Sequence, residues 1–202
     1  MAIKIGITGG IGSGKSMVSH LLQVMGVPVY ISDVEAKRLM CSDSFIRKKL
    51  QALLGKEIYC GSTLNKQLLA SYLFADPEHA RIINDIVHPC VRENFIQWVH
   101  HHSNAKIVSI ESAILIEAGF TNEVDLIVMI YAPEELRISR AIRRDVSSRE
   151  LIEKRIQSQM DDEKKREYAD FVITNDDNTP LISQILNLIK SLYETTDCTS
   201  EK

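Results

Sequence analysis

The feature that most constrains this chain is the run Gly9-Gly10-Ile11-Gly12-Ser13-Gly14-Lys15-Ser16. So many glycines make a poor strand and a poor helix on their own. Yet the run is bracketed by the apolar alternation of Ile3, Ile5 and Ile7 and by Val18, Leu21, Leu22 and Met25 at helical spacing. Something must hold its backbone amides in place. The spacing fits G-x-x-x-x-G-K-[ST], in which each residue type has a physical task. Glycines permit positive φ and close approach, so successive N–H groups converge on phosphate oxygens. A helix opening near Gly14 adds the positive end of its dipole. Lys15 reaches the β- and γ-phosphates, and the Ser16 hydroxyl suits Mg²⁺. The run therefore predicts a nucleoside triphosphate seated between a first strand and a first helix.

Five apolar segments read as strands: 3–8, 27–32, 106–111, 126–132 and 171–174. Several are nearly continuous in Val and Ile, as in strands buried on both faces of a parallel sheet. Helical patterns separate them, which makes the class α/β. The first helix, 14–25, closes at Gly26. Two intervals exceed what a crossover needs. Residues 33–105 hold several helices, including 63–74 and a segment entered through Asp76-Pro77, a cap followed by proline at the first helical position. Within that segment, His88-Pro89 punctuates the helical pattern, where proline's push of its predecessor toward extended geometry would give a kink. Residues 133–170 are strongly charged, with arginine and lysine in excess. The polar tail from Tyr193 onward is expected to fray.

Composition excludes more than it specifies. The formal net charge of −3 over 202 residues argues against a dedicated nucleic-acid binder. No apolar run approaches the roughly 20 residues of a membrane span, and the N-terminus has no cleavable-leader pattern, so no membrane partner is expected. Cys41, Cys60, Cys90 and Cys198 lack metal-ligand spacing and read as reduced thiols of a cytoplasmic protein. A guanine-nucleotide switch fits poorly, since "NKQL" at 65–68 lacks the recognition aspartate and no D-x-x-G follows the third strand. Either Glu111 or Glu117 could supply a carboxylate beside a metal. The run His100-His101-His102 reads as a solvated helix end, because adjacent helical residues point in different directions.

Four stretches taken together, "IGITGGIGSGKSMV", "HP" at 88–89, "APEELRISRAIRRD" at 132–145 and "RIQSQMDDEKKREYADFVITND" at 155–176, resemble the dephospho-coenzyme A kinases. The resemblance runs from Ile3 to about Leu192. It implies a P-loop kinase fold with five parallel strands in the order 2-3-1-4-5. The nucleotide-binding core would comprise 1–32, 106–136 and 170–195, the helical acceptor-binding insertion 33–105, and the lid 137–169. It implies ATP-dependent phosphorylation of the ribose 3′-hydroxyl of dephospho-coenzyme A, with Mg²⁺ and no nucleic-acid partner. A nucleoside monophosphate kinase, or another small-molecule kinase with the same loop, is the alternative.

By the same resemblance, Gly10, Gly12, Ser13, Gly14, Lys15, Ser16 and Met17 bind ATP, with Ser16 on the metal. Arg140 and Arg144 approach the phosphates from the lid, Asn175 stands near the adenine, and Lys15, Asp33 and Arg140 are catalytic. Asp33, Asn84 and His88 face the acceptor. Where the family carries two aspartates around an alanine, this chain reads Ile31-Ser32-Asp33. The physics of these residue types is compatible. A carboxylate at a strand's carboxyl end can take or orient a hydroxyl proton, although Asp is also a favoured helix N-cap. Arginines at i, i+4 share a helix face and can bind phosphate oxygens in pairs, although such a face can equally pair with Glu150 and Glu153. His88 reads equally well as a substrate contact or as part of a kink.

Overall fold

The computed structural model describes residues 2–199 and divides into two compact units, 1–30 with 99–202, and 31–98. The larger unit is built on a parallel sheet: β1 (Ile3–Thr8), β2 (Val29–Ile31), β5 (Ile107–Glu111), β6 (Leu126–Tyr131) and β7 (Phe171–Thr174). Their order is β2-β5-β1-β6-β7, which is 2-3-1-4-5 when these five strands alone are counted. β1 lies centrally, with Ile7 beside Glu111 of β5 and Val128 of β6. The edge strand β2 joins through the Ser109 amide, which donates to the Pro28 carbonyl at 2.9 Å.

The near-continuous Val/Ile strands are buried on both faces: the alternate residues Val108, Ile110, Ile127 and Met129 are as buried as Ile107, Val128 and Ile130. α1 (Lys15–Val24) and α9 (Leu181–Thr199) contribute Val18, Leu22, Ile185, Leu188 and Leu192 to a buried cluster with Ile5, Ile7, Val128, Ile130 and Ile173. Each such side chain contributes about 1.5–3 kcal/mol by leaving water. α1 ends as the sequence predicts: Gly26 adopts φ 85°, while Gly26 N–H donates to Gln23 and Val27 N–H to Leu22.

Between β6 and β7 come α6 (Glu134–Asp145), α7 (Arg149–Gln157) and α8 (Asp162–Glu167). Ile138 and Ala141 of α6 pack with Ile152 of α7, and Ile11 of the glycine-rich turn joins this cluster. The α6–α7 joint is strained. Val146 sits at φ 48°, in the left-handed region that a β-branched residue avoids, with its side chain almost fully exposed. Asp145 beside it is held by Arg144 and Arg155, both at 2.6–2.7 Å.

The 31–98 unit carries α2 (Ser32–Ser42), α3 (Ser44–Leu54), a hairpin of β3 (Tyr59–Cys60) and β4 (Thr63–Leu64), α4 (Lys66–Ala75) and most of α5 (Pro77–His101). Asp43 caps α3 by accepting from the Phe45 and Ile46 amides, and Asn65 caps α4 by accepting from Leu68. Asp76 and Pro77 open α5 as the sequence predicts.

Three expectations need correction. The second strand is three residues long and not six, because Ser32 and Asp33 already belong to α2. Residues 63–64 are strand, and the helix expected from 63 starts at Lys66, after the Asn65 cap. His88-Pro89 lies inside its helix, as the helical periodicity of that segment predicts. α5 runs through it and forgoes only the bond Pro89 would have donated to Asp85. The C-terminal helix continues to Thr199, well past Tyr193; residues 200–202 and the Cys198 side chain lie outside what is described.

Candidate active site

The glycine-rich turn joins the central strand to α1, so its amides open at the carboxyl edge of the sheet, where ligands of open α/β folds bind. Gly14 is the N-cap of α1 at φ 95°, and Gly12 has φ 78°. Both values exclude side chains, and neighbours exclude them again. A Cβ at Gly12 would strike the Arg137 carbonyl, and one at Gly14 would strike the Asn175 amide. The amides of Gly12 and Gly14 find no acceptor among the described residues, whereas Ile11 N–H donates to Gln159 Oε1 at 3.1 Å. Lys15 Nζ donates to the Gly9 and Gly10 carbonyls at 3.0 and 3.2 Å, so its charge already lies over the turn.

A cavity of about 230 Å³ is lined by Gly12, Gly14, Lys15, Ser16, Arg140, Ala141 and Arg144. The structure thus brings the loop lysine, the loop hydroxyl and both predicted arginines of α6 to one place. Arg140 donates to the Asn175 carbonyl at 3.0 Å and pairs with Asp177. Arg144 pairs with Asp145 rather than with Glu150 or Glu153. Asn175 also reaches the turn directly, its side-chain amide donating to the Ser13 carbonyl at 2.8 Å. Ser13 is buried under the turn, and Met17 is exposed in the first turn of α1.

Glu111 ends β5 beside Ile7 and is 7% exposed. One of its carboxylate oxygens accepts from Ser16 Oγ at 3.1 Å; the other is buried and has no hydrogen-bond partner among the described residues. A buried carboxylate beside a hydroxyl is a hard-oxygen donor set that suits a divalent cation such as Mg²⁺. Glu117 is engaged elsewhere. It accepts from Met160 N–H at 2.9 Å and meets the fully buried Lys165 at 3.2 Å, which separates the two carboxylates that the sequence left as alternatives.

Arg137 was not singled out from the sequence, where it is one cation among many. Only 4% exposed, it pairs with Asp162 at 3.0 Å, and its guanidinium lies where a Cβ on Gly10 would stand. Burial pushes the Asp162 carboxyl up, against the opposing pull of Arg137 and Lys165. A buried arginine spaced to pack against a glycine has no signature in composition. Its partner Gly10, which lacks a positive φ and must be small for packing reasons, is in the sequence only one glycine among several in the turn.

Three predicted residues lie in the 31–98 unit. Asp33 is in the first turn of α2, exposed, and neither caps that helix nor makes a hydrogen bond or ion pair among the described residues. As an anion near a helix N-terminus it is electrostatically favoured there. Asn84 and His88 are half-buried and four residues apart on α5, hence on one face. Burial pushes the His88 imidazole below its ordinary pKa, with Asp85 opposing and Arg92 assisting.

Residues 3–180 match the family model described as dephospho-CoA kinase. The dephospho-CoA kinase of Bacteroides fragilis is 61% identical over 194 residues, covering 96% of this chain and 95% of that protein. A Thermus thermophilus crystal structure is similar at 32% identity and a TM-score of 0.79, covering 96% of this chain and 97% of that one. The dephospho-CoA kinase of Campylobacter jejuni shares the fold, with 22% identity, a TM-score of 0.70, and coverage of 97% and 100%.

Proposed function

The chain belongs to the dephospho-CoA kinase family, which transfers phosphate from ATP to dephospho-coenzyme A in the last step of coenzyme A synthesis, and from that premise we propose which of its residues perform the transfer. The observation that carries the assignment is the convergence of Lys15, Ser16, Arg140 and Arg144 on one cavity at the sheet edge.

In this reading, the turn amides of residues 10–17 and Lys15 hold the β- and γ-phosphates. Arg140 and Arg144 bind oxygens of the transferring group, exchanging Asp177 and Asp145 for phosphate. Asn175 fixes the turn from beneath, besides its place near the adenine. Ser16 and Glu111 would hold Mg²⁺, which when bound neutralises charge on the phosphate oxygens. Asp33 accepts a hydrogen bond from the ribose 3′-hydroxyl and orients its lone pair at the γ-phosphorus. The new O3′–P bond forms as the bond from Pγ to the bridging oxygen breaks; ADP leaves, and the hydroxyl proton passes to Asp33. Because such transition states are loose, orientation contributes more than proton removal. Residues 33–105, with Asn84 and His88, receive the acceptor, and 137–169 act as the lid that carries the arginines over ATP. The donor is ATP, so we assign the reaction to the cytoplasm.

The test is transfer of ³²P from γ-labelled ATP, with Mg²⁺, to dephospho-coenzyme A, AMP and dTMP in parallel. Coenzyme A should be the labelled product. Labelling of AMP or dTMP alone would overturn the assignment.

A further inference from the structure

A turn rich in glycine has many shapes open to it, and only some of them aim its amides at a phosphate. Part of the holding is done inside the turn. The Ser13 amide donates to the Gly10 carbonyl at 3.2 Å, and Lys15 Nζ bridges the Gly9 and Gly10 carbonyls. These bonds close the turn on itself. The Ile11 peptide, at its crest, is held from elsewhere: its N–H donates to Gln159 Oε1, 148 residues away in the chain, at 3.1 Å.

Ile11 is gripped by its side chain as well. It packs against Ile138 and Ala141 of α6 and Ile152 of α7, as do Ile142 and Ile156. Side chain and amide thus fasten the same residue to the stretch that follows β6, whose helix α6 carries Arg140 and Arg144. The orientation of the Gln159 amide group is settled by chemistry, since only its oxygen can accept from an N–H.

The backbone on either side of Gln159 is anchored. Its own N–H donates to the Ile156 carbonyl at 3.0 Å, and the next amide, that of Met160, donates to Glu117 at 2.9 Å. Glu117 is met by the fully buried Lys165, whose Nζ also donates to the Ala113 carbonyl at 2.9 Å. Three residues past Gln159, Asp162 pairs with the buried Arg137, which packs on Gly10. A half-buried side chain on so fixed a backbone has little freedom left to lose when it meets its partner. The transfer chemistry gives Gln159, Glu117 and Lys165 no task of their own.

We propose that Gln159 is a positioning residue for phosphoryl transfer, clamping the Ile11 peptide so that the turn waits in its phosphate-receiving form; the inference rests on the assignment of that turn to the phosphates of ATP. Gln159 acts through Ile11, and Glu117 with Lys165 holds Gln159 in reach. A nucleotide binds only the fraction of turns already in the receptive form, so affinity falls as that fraction falls.

Two measurements test it. Gln159→Met keeps the length of the side chain and removes the acceptor. The dissociation constants of ATP and ADP, measured by calorimetry, should rise together about tenfold, the scale of one hydrogen bond. KM for dephospho-coenzyme A at saturating ATP should stay at the parent's value. Unchanged nucleotide affinity overturns the proposal. So does an equal rise for nucleotide and acceptor, the mark of a fold loosened throughout. The second measurement is amide exchange by NMR on the ligand-free protein, and it begins with the parent. Its Ile11 amide should exchange far below the intrinsic rate, while that of Gly12 exchanges near it. Gln159→Met should release Ile11 and leave Ile5 and Ile7 of β1 protected, whereas Gln159→Glu, which retains an acceptor of the same reach, should keep Ile11 protected. An unprotected Ile11 in the parent, or the same protection in parent and Gln159→Met, overturns the clamp, as does loss of protection in both variants alike. Failure of the phosphate assignment would show separately, as a Lys15→Ala protein that binds ATP with the parent's affinity.

Discussion

At the scale of single residues, the site divides by how far each side chain lies from the glycine-rich turn in sequence. Lys15 and Ser16 are legible because the turn that positions them is itself a motif. Arg140 and Arg144 are legible through spacing and resemblance together. Glu111 could not be chosen over Glu117 from sequence, since the choice is made by Lys165 and Met160, 43 residues or more away in the chain. Arg137 was invisible because its role depends on burial. The proposed roles give different kinetic signatures. Asp33→Asn should lower turnover by about 10²-fold, the scale of a lost general base, with ATP binding retained; steady-state assays at saturating ATP measure it. Arg140→Ala should slow the single-turnover rate by about 10²-fold while raising the dissociation constant for ATP by less, because its charge serves the transition state most.

At the scale of elements, local signals succeeded where the element was long and failed where neighbours decide. The β3–β4 strands are two residues each, too short for alternation to show. α5 continues through Pro89 because the apolar stripe of Ile83, Val87, Val91 and Phe95 is buried on both sides of the proline, which outweighs one forgone hydrogen bond. The α6–α7 joint offers two tests. Val146→Gly removes a left-handed strain and no buried contact, so the urea midpoint should rise by the equivalent of about 1 kcal/mol. Asp145 is held at a pKa of about 2, first by its hydrogen bond from Arg144 and then by that from Arg155. A carboxylate depressed on folding adds stability that is fully present above its unfolded pKa near 3.9 and is lost as pH falls through 2. Amide protection at 143–150, taken relative to the intrinsic exchange rate at each pH, should therefore fall between pH 4 and 2, and Asp145→Asn should remove that pH dependence.

At the scale of the whole molecule, the parallel sheet was the most legible feature, because strands covered on both faces must be apolar throughout. The two boundaries between the units fall inside elements, one in β2 and one in α5, so no linker composition marks either. Ligand binding to the larger unit has a global readout. At a hundred times its dissociation constant, ATP should stabilise the fold by about 2.7 kcal/mol, several degrees in melting temperature for a chain of this size. Differential scanning fluorimetry should show that rise, and Lys15→Ala should abolish most of it. The direct passage from β2 into α2, Ile31 to Ser32 with nothing between, has its own consequence. Each helical residue advances the rod by about 100°. One residue inserted here would swing Asp33 and the rest of its helix through more than a quarter revolution, with every side chain still intact. At this joint, evolution and engineering alike are free to alter letters but not to change their number.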